Sequence, residues 1–398
     1  MEVGERTSRK PVRPSPRFAV LGAGHGGLAM AAHLALMGHE VRLWNRSKER
    51  IEPLIQRGGV DLEGAVQGTS VLDAATSDVG EAVADADIIM VVVPANGHGD
   101  VAAVLSPHLQ AGQIVVLNPG RTGGALEVSK IFRENGVSPE VIVAEAQTFL
   151  YVSRRVAPTQ AKIFQIKNSV PLAALPAFRT PEVLRALNPV FPQFVAGNNV
   201  LQTSFDNIGM VFHPAVMLLN AAWVEAHHDF EYYIEGISPS VARLLGKLDD
   251  ERRAVAASIG VNTHSAREWL YLVYNAAGTT LYQAVQATPG YAGVQAPNTL
   301  FHRYLLEDVP MSLVPLSETG RQYGVPTPTT NAVIHLASEL LGRDFRKEGR
   351  TLDRMGIRGL TVKQLRKRVV GGFVPRAGAG KRRAGRGGDE RRGATEAA

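Results

Sequence analysis

The sequence predicts an α/β amino-terminal half built on a parallel, doubly wound sheet, followed by an all-α carboxy-terminal half. Three observations predict it. Short apolar runs alternate with helix-length stretches up to about residue 197. A glycine-rich turn joins the first apolar run to the first helix. Beyond that point helix-length patterns continue and strand signals fade. At 398 residues the chain suits two domains better than one.

The elements follow in order. Phe18-Ala19-Val20-Leu21 is a short apolar run that stops at glycines. A helical pattern from Leu28 to Met37 ends at Gly38, and Val41-Arg42-Leu43-Trp44 reads as the second strand. Further strands are expected at Ile88–Val93, Ile114–Leu117 and Val141–Ala144, with additional ones at Ala161–Ile166 and Gln193–Val195. Strands alternating with helices imply right-handed crossovers and a parallel sheet. Helices are expected at Pro214–Phe230, Ser238–Ile259, Ser265–Gln286, Val309–Tyr323 and Thr329–Leu341. The boundary falls in Ala196-Gly197-Asn198-Asn199. The expected division is a tail at 1–16, an α/β domain at 17–197, a helical domain at 198–370 and a basic tail at 371–398.

Composition removes several classes of function. Apolar residues make up 45% and charged residues 20%, the balance of a soluble globular protein. The absence of cysteine excludes disulfides, thiolate nucleophiles and cysteine-bound metals, and it fits a reducing cytoplasm. The net charge of +6 is concentrated in two Gly-, Pro-, Ala- and Arg-rich tails, which have little to bury and read as disordered. No nucleic-acid site is expected. No apolar run reaches the roughly 18 residues that span a membrane, and no signal-peptide core follows the early positive charges. A cytoplasmic protein is expected.

Gly22-Ala23-Gly24-His25-Gly26-Gly27 matches G-x-G-x-x-G, leaves a strand and opens a helix. That context marks a Rossmann dinucleotide site. Gly22 permits the tight turn, Gly24 lets the pyrophosphate approach, and Gly27 lets helix and strand pack closely. The helix N-terminus, with His25 and Gly26, offers free N–H groups to the phosphates. An NAD enzyme usually has a carboxylate at the end of the second strand. Here the residues are Asn45-Arg46-Ser47, with no carboxylate among them. Arg46 could clamp a 2′-phosphate, so NADP is expected over NAD. Pro94 and Ala95 at one strand end, and Asn118 and Gly120 at the next, are expected to face the same crevice.

Hydride transfer is the cofactor's chemistry, so the protein must hold the substrate and move a proton. In the helical half, His213 sits among apolar residues just before Pro214, and Arg303 and Asp308 lie close together. A buried, satisfied histidine and a local salt bridge are the plainer readings of these residues. His227-His228-Asp229 makes a poor metal site, because adjacent helical residues point to different faces. No metal is expected. His264 and His335 read as exposed or satisfied, and Tyr271, Tyr274 and Tyr282 as core.

Five segments occur in an order that resembles the opine dehydrogenases, the octopine/nopaline dehydrogenase group. They are the G-A-G-H-G-G turn, Asn118-Pro119-Gly120-Arg121, the stretch from Glu145 through Thr148 to Arg154, His213-Pro214, and Arg303 to Asp308. The resemblance covers roughly residues 17–345. It implies a Rossmann domain paired with a helical domain. The implied activity is reductive condensation of an amino acid's amine with a 2-oxo acid. It also implies that His213 and Asp308 form the catalytic pair, that Arg303 holds substrate, and that Glu145, Thr148 and Arg154 line the cleft. Two other readings stand beside it: a 2-hydroxy acid or polyol-phosphate dehydrogenase of the same plan, and a nucleotide-binding sensor without turnover. Oligomeric state is open, with a homodimer the assembly considered.

Overall fold

The computed structural model describes residues 15–372. The expected disordered tails therefore lie almost wholly outside the described residues. Among the described residues twelve strands occur, as β1 (Phe18–Leu21), β2 (Val41–Trp44), β3 (Gly59–Gly64), β4 (Gly68–Val71), β5 (Ala74–Thr76) and β6 (Ile88–Val91), then β7 (Ile114–Leu117), β8 (Ile142–Ala146), β9 (Tyr151–Ala157), β10 (Gln160–Ile166), β11 (Val170–Leu175) and β12 (Phe194–Ala196).

The main sheet has the order β12-β11-β8-β7-β6-β1-β2-β5. From β8 to β5 all neighbours are parallel, while β11 runs antiparallel to β8. Strands β1, β6 and β7 are buried throughout, which is why they read as continuous apolar runs rather than alternating ones. The chain leaves β1 for β2 on one side, and β6 lies on the other, so the order reverses at β1. In open α/β sheets that reversal opens the ligand crevice at the strands' carboxyl ends.

A second sheet, β4-β3-β10-β9, covers the helix His25–Leu36. That helix is pressed between two sheets, with Leu28, Met30, Ala31 and Leu34 fully buried. It is apolar on nearly every face because it has almost no solvent face to supply. Strands β3, β4, β5, β9 and β11 are absent from the sequence reading. The stretch from Thr148 to Arg154 is partly β9, where Arg154 sits opposite Lys162.

The remainder is helical, through the long Pro239–Ser258 to Pro328–Leu341 and Val362–Gly371. Three expected helices are divided. The Pro214–Phe230 pattern starts earlier, at Gly209, and its first helix ends at Leu219. The Ser265–Gln286 pattern is two helices, because Asn275 takes a left-handed φ of 56° and ends the first at Tyr274. The Val309–Tyr323 pattern begins as a π turn at Val309–Leu313, a wider winding frequent at functional sites. Tyr271 is 55% exposed rather than core, because that helix buries only its Ala266 and Leu270 side. Among the described residues, no helix is long and apolar enough to cross a membrane.

Candidate active site

The glycine turn has the geometry that a dinucleotide needs. Gly22 takes φ +116°, a conformation side chains rarely adopt. A Cβ on Gly27 would collide with the Gly22 carbonyl, so helix and strand approach as closely as expected. At Gly24 nothing lies within 4 Å of where a Cβ would stand, which leaves open space on the side where a phosphate would approach. No side chain caps the helix that starts at His25, and its first-turn N–H groups are free for an anion. Asn45 Oδ1 accepts the Ala23 N–H at 3.0 Å and ties the turn to the end of β2. Burial and four arginines (Arg154, Arg303, Arg50 and Arg155) lower the pKa of His25, so the mouth of the turn is electropositive. These residues fit a dinucleotide pyrophosphate.

Beside the turn lies a cavity of about 570 Å³ whose lining includes Asn45, Arg46, Ser47, Ser77, Pro94 and Val101. Arg46 is well exposed there and pairs with Asp100 at 3.3 Å. The sequence reading found no carboxylate at this strand end. Asp100 corrects it, because the fold brings it in from the helix His98–Leu105 across 54 positions of sequence. Ala95 and Gly120, also expected at the cofactor, meet groups of the protein. The Ala95 N–H donates to Glu307 at 3.1 Å and its carbonyl accepts from Arg350 at 3.0 Å, so its backbone belongs to the seam between the lobes. Gly120 is buried, with the Glu145 side chain where a Cβ would stand. Asn118 is buried as well, and its Oδ1 has no hydrogen-bond partner.

His213, on the helix Gly209–Leu219, and Asp308, just before the π turn, meet. His213 Nδ1 and Asp308 Oδ2 lie 2.8 Å apart, and Asp308 is fully buried. Burial alone would raise the Asp308 pKa, but Arg121 and His213 hold it well below the ordinary carboxylate range. Asp308 is therefore ionised and accepts a hydrogen bond from His213 Nδ1. The Tyr233 hydroxyl lies 3.2 Å from Nε2, and the Tyr304 ring stacks on the imidazole at 4.1 Å. Burial holds the Tyr233 pKa well above 10, so its hydroxyl remains a donor.

Arg121 was not singled out in the sequence, although its Asn-Pro-Gly-Arg loop was. It takes φ +55° and enters the seam, reaching Asp308 Oδ1 and Glu307 Oε1, each at 3.2 Å. It also donates to Asn207 Oδ1 at 3.2 Å, and Asn207 in turn donates to Ser312. The couple's negative charge is thus neutralised from the Rossmann side while its imidazole is carried by the helical side.

The other predicted residues separate. Arg303 is half exposed and pairs with Glu307 at 2.8 Å, not with Asp308. Thr148 Oγ1 accepts from Lys167 Nζ at 2.7 Å. Arg154 projects from β9 near the glycine turn. Glu145 does not line the cleft. It is fully buried, accepts from Thr203, Ser204 and the Ala125 N–H, and pins the helix Val200–Phe205 to the end of β8.

Burial pushes the Glu145 carboxyl up to about 7, against those hydrogen bonds. The unfolded chain releases this proton near 4.5 and the folded one near 7, so stability declines as pH rises through that window. Glu145→Gln lacks the decline. Measured by denaturant midpoint, the variant gains on the parent between pH 5 and pH 8. Parallel pH curves for the two proteins would overturn this assignment.

Comparison with known proteins places the chain. Residues 196–341 match the family model for the NAD/NADP octopine/nopaline dehydrogenase alpha-helical domain, and residues 17–142 match that for the NAD-dependent glycerol-3-phosphate dehydrogenase N-terminus. An opine dehydrogenase of Arthrobacter sp. (strain 1C) is 46% identical over 356 residues, which cover 89% of this chain and 99% of the relative. The chain belongs to the opine dehydrogenase family. Protein ocs of Agrobacterium tumefaciens (strain Ach5) is a more distant relative, 24% identical over 86% of the chain and 96% of its own length. The fold of this family member is also that of octopine dehydrogenase in complex with NADH and agmatine, at TM-score 0.75 and 20% identity over 90% of this chain and 98% of that one. Yersinopine dehydrogenase with NADP+ bound matches at TM-score 0.70 and 19% identity, over 88% and 95% of the two chains.

Proposed function

We propose that this family member catalyses the NAD(P)H-dependent condensation of an amino acid's amine with a 2-oxo acid, giving an N-(carboxyalkyl) amino acid, and the reverse oxidation. The observation that carries this reading is the His213–Asp308 couple, held by Arg121 where the helical lobe meets the ends of the Rossmann strands. The bound nicotinamide would supply the hydride.

The protein's own residues account for the proton movements. Attack of the amine on the oxo carbon, followed by loss of water, forms an imine. The amine gives up a proton as it attacks, His213 Nε2 can accept it, and the imidazolium so formed returns it to the departing hydroxyl. The resulting charge change falls on an imidazole whose Nδ1 faces an ionised carboxylate, which favours the protonated form. Tyr233 holds Nε2 in line until substrate takes its place. Reduction then places hydride on the carbon of the imine in its N-protonated form, with one proton drawn from solvent, and leaves a secondary amine. The substrate-binding role proposed for Arg303 is supported by its half-exposed guanidinium near both Glu307 and the glycine turn. The division of the chain near Gly197 is supported by the end of β12 at Ala196 and the next helix at Val200.

Cofactor oxidation assayed with amino acids and 2-oxo acids, together and separately, tests the reaction. Turnover only with both substrates is expected; turnover with the oxo acid alone would overturn the condensation. For the cofactor, Arg46→Ala is expected to raise KM for NADPH about tenfold and to change KM for NADH less than about twofold. Equal effects on both would remove Arg46 from 2′-phosphate recognition.

A further inference from the structure

Lys167 lies on the connection between β10 and β11. Strand β11 runs antiparallel to β8, and its residue Leu172 pairs with Ala146 at the end of β8. The connection is therefore at the carboxyl edge of the parallel strands, where the crevice opens. The Lys167 side chain is partly buried, and its ammonium donates to Thr148 Oγ1 at 2.7 Å. Among the described residues, no carboxylate lies within ion-pair distance of it. Burial, with Arg121 adding to it, pulls Lys167 down to about 7.

Two neighbouring cations of this region are already committed. Arg121 is matched to Glu307 and Asp308, and Arg303 to Glu307. Lys167 has only a neutral hydroxyl. Removing an ammonium from water without a counter-ion is costly unless something negative arrives. The segment that carries Thr148 is braced for that arrival. Gln147 Nε2 donates to the Asp206 carbonyl of the helical lobe at 2.9 Å, and Phe149 packs against Gly26 of the glycine turn. Both substrates of the condensation bring a carboxylate, and neither carboxylate takes part in the bond changes, so each must be held elsewhere.

We propose that Lys167 Nζ, oriented by Thr148, binds a substrate carboxylate and so fixes one of the two condensing partners in the crevice. This rests on the condensation reaction assigned above. Lys167→Met is expected to raise KM for one substrate, the amino acid or the 2-oxo acid, about 10- to 100-fold, with KM for NAD(P)H within about twofold of the parent. Lys167→Arg recovers part of that loss, and Thr148→Val shows a smaller rise for the same substrate. If the amino acid is the partner held, its amide gives the same KM with Lys167→Met as with the parent enzyme. If the oxo acid is held, Lys167→Met raises the KM of the oxo acid by the same factor whether the amino acid or its amide is the co-substrate. Unchanged KM for both substrates in Lys167→Met overturns the proposal while leaving the condensation intact. So does a loss spread equally over substrates and cofactor with a lowered melting temperature, which marks a structural lysine. Parent enzyme that fails to turn over with both substrates removes the reaction itself.

Discussion

His213→Ala is expected to lower kcat by at least about 10²-fold, because it removes the group that carries the proton during dehydration. Asp308→Asn should match or exceed that loss. The amide leaves Nδ1 without an ionised acceptor, so the imidazolium loses its partner, and buried Arg121 keeps only Glu307 as counter-ion. Binding of NAD(P)H, followed by quenching of protein fluorescence, should stay within about threefold of the parent for His213→Ala. Neither member of the couple lines the cavity beside the glycine turn. Near-parental turnover in His213→Ala would remove the imidazole from the reaction. Unaltered kcat in Asp308→Asn would show that His213 works without its carboxylate.

The second large effect concerns stability. Arg350 follows the short helix Phe345–Glu348 in the last part of the chain and is fully buried against the Rossmann domain. Its guanidinium reaches Glu127 at 2.6 Å, the carbonyls of Ala95 and Thr122 at 3.0 Å each, and His98 Nδ1 at 3.2 Å. Burial, with Arg350 adding to it, lowers His98 to about 3, so His98 is neutral and Nδ1 can accept. Arg350→Met leaves buried Glu127 with only Arg354 as a cation and strips the donor from four further acceptors, the carbonyls of Ala95, Gly120 and Thr122 and His98 Nδ1. The expected loss is about 3–5 kcal/mol, read as a lowered urea midpoint. A loss under about 1 kcal/mol would show that solvent replaces Arg350 freely and that the seam does not depend on it.

The legible parts of this protein are those encoded locally. The glycine turn could be read because its requirements, a positive φ at Gly22 and open space at Gly24, fall on consecutive residues. Strands β1, β6 and β7 could be read because burial on both faces leaves an unbroken apolar run. Strand β3, Gly59–Gly64, begins and ends in glycine, and β11 carries Pro171, so both hide their strand character. Strand β9 alternates in burial, but Ser153, Arg154 and Arg155 in succession break its apolar pattern. His213 and Asp308 were named from motif order, yet no spacing rule places residues 95 positions apart at 2.8 Å.

By itself the sequence determined a nucleotide-binding turn on a parallel sheet, a helical second half and the residue types for proton transfer, since each rests on neighbours within one or two turns of chain. Only the tertiary structure decided which charges meet. It took Glu145 out of the cleft and brought Asp100 to Arg46. It set Arg121 on Asp308, drove Arg350 across the seam and left Lys167 without a carboxylate. The reason is that an ion's state depends on its burial and on charges a few ångströms away in space, and in this fold those charges come from loops and helices tens to hundreds of residues apart in the chain.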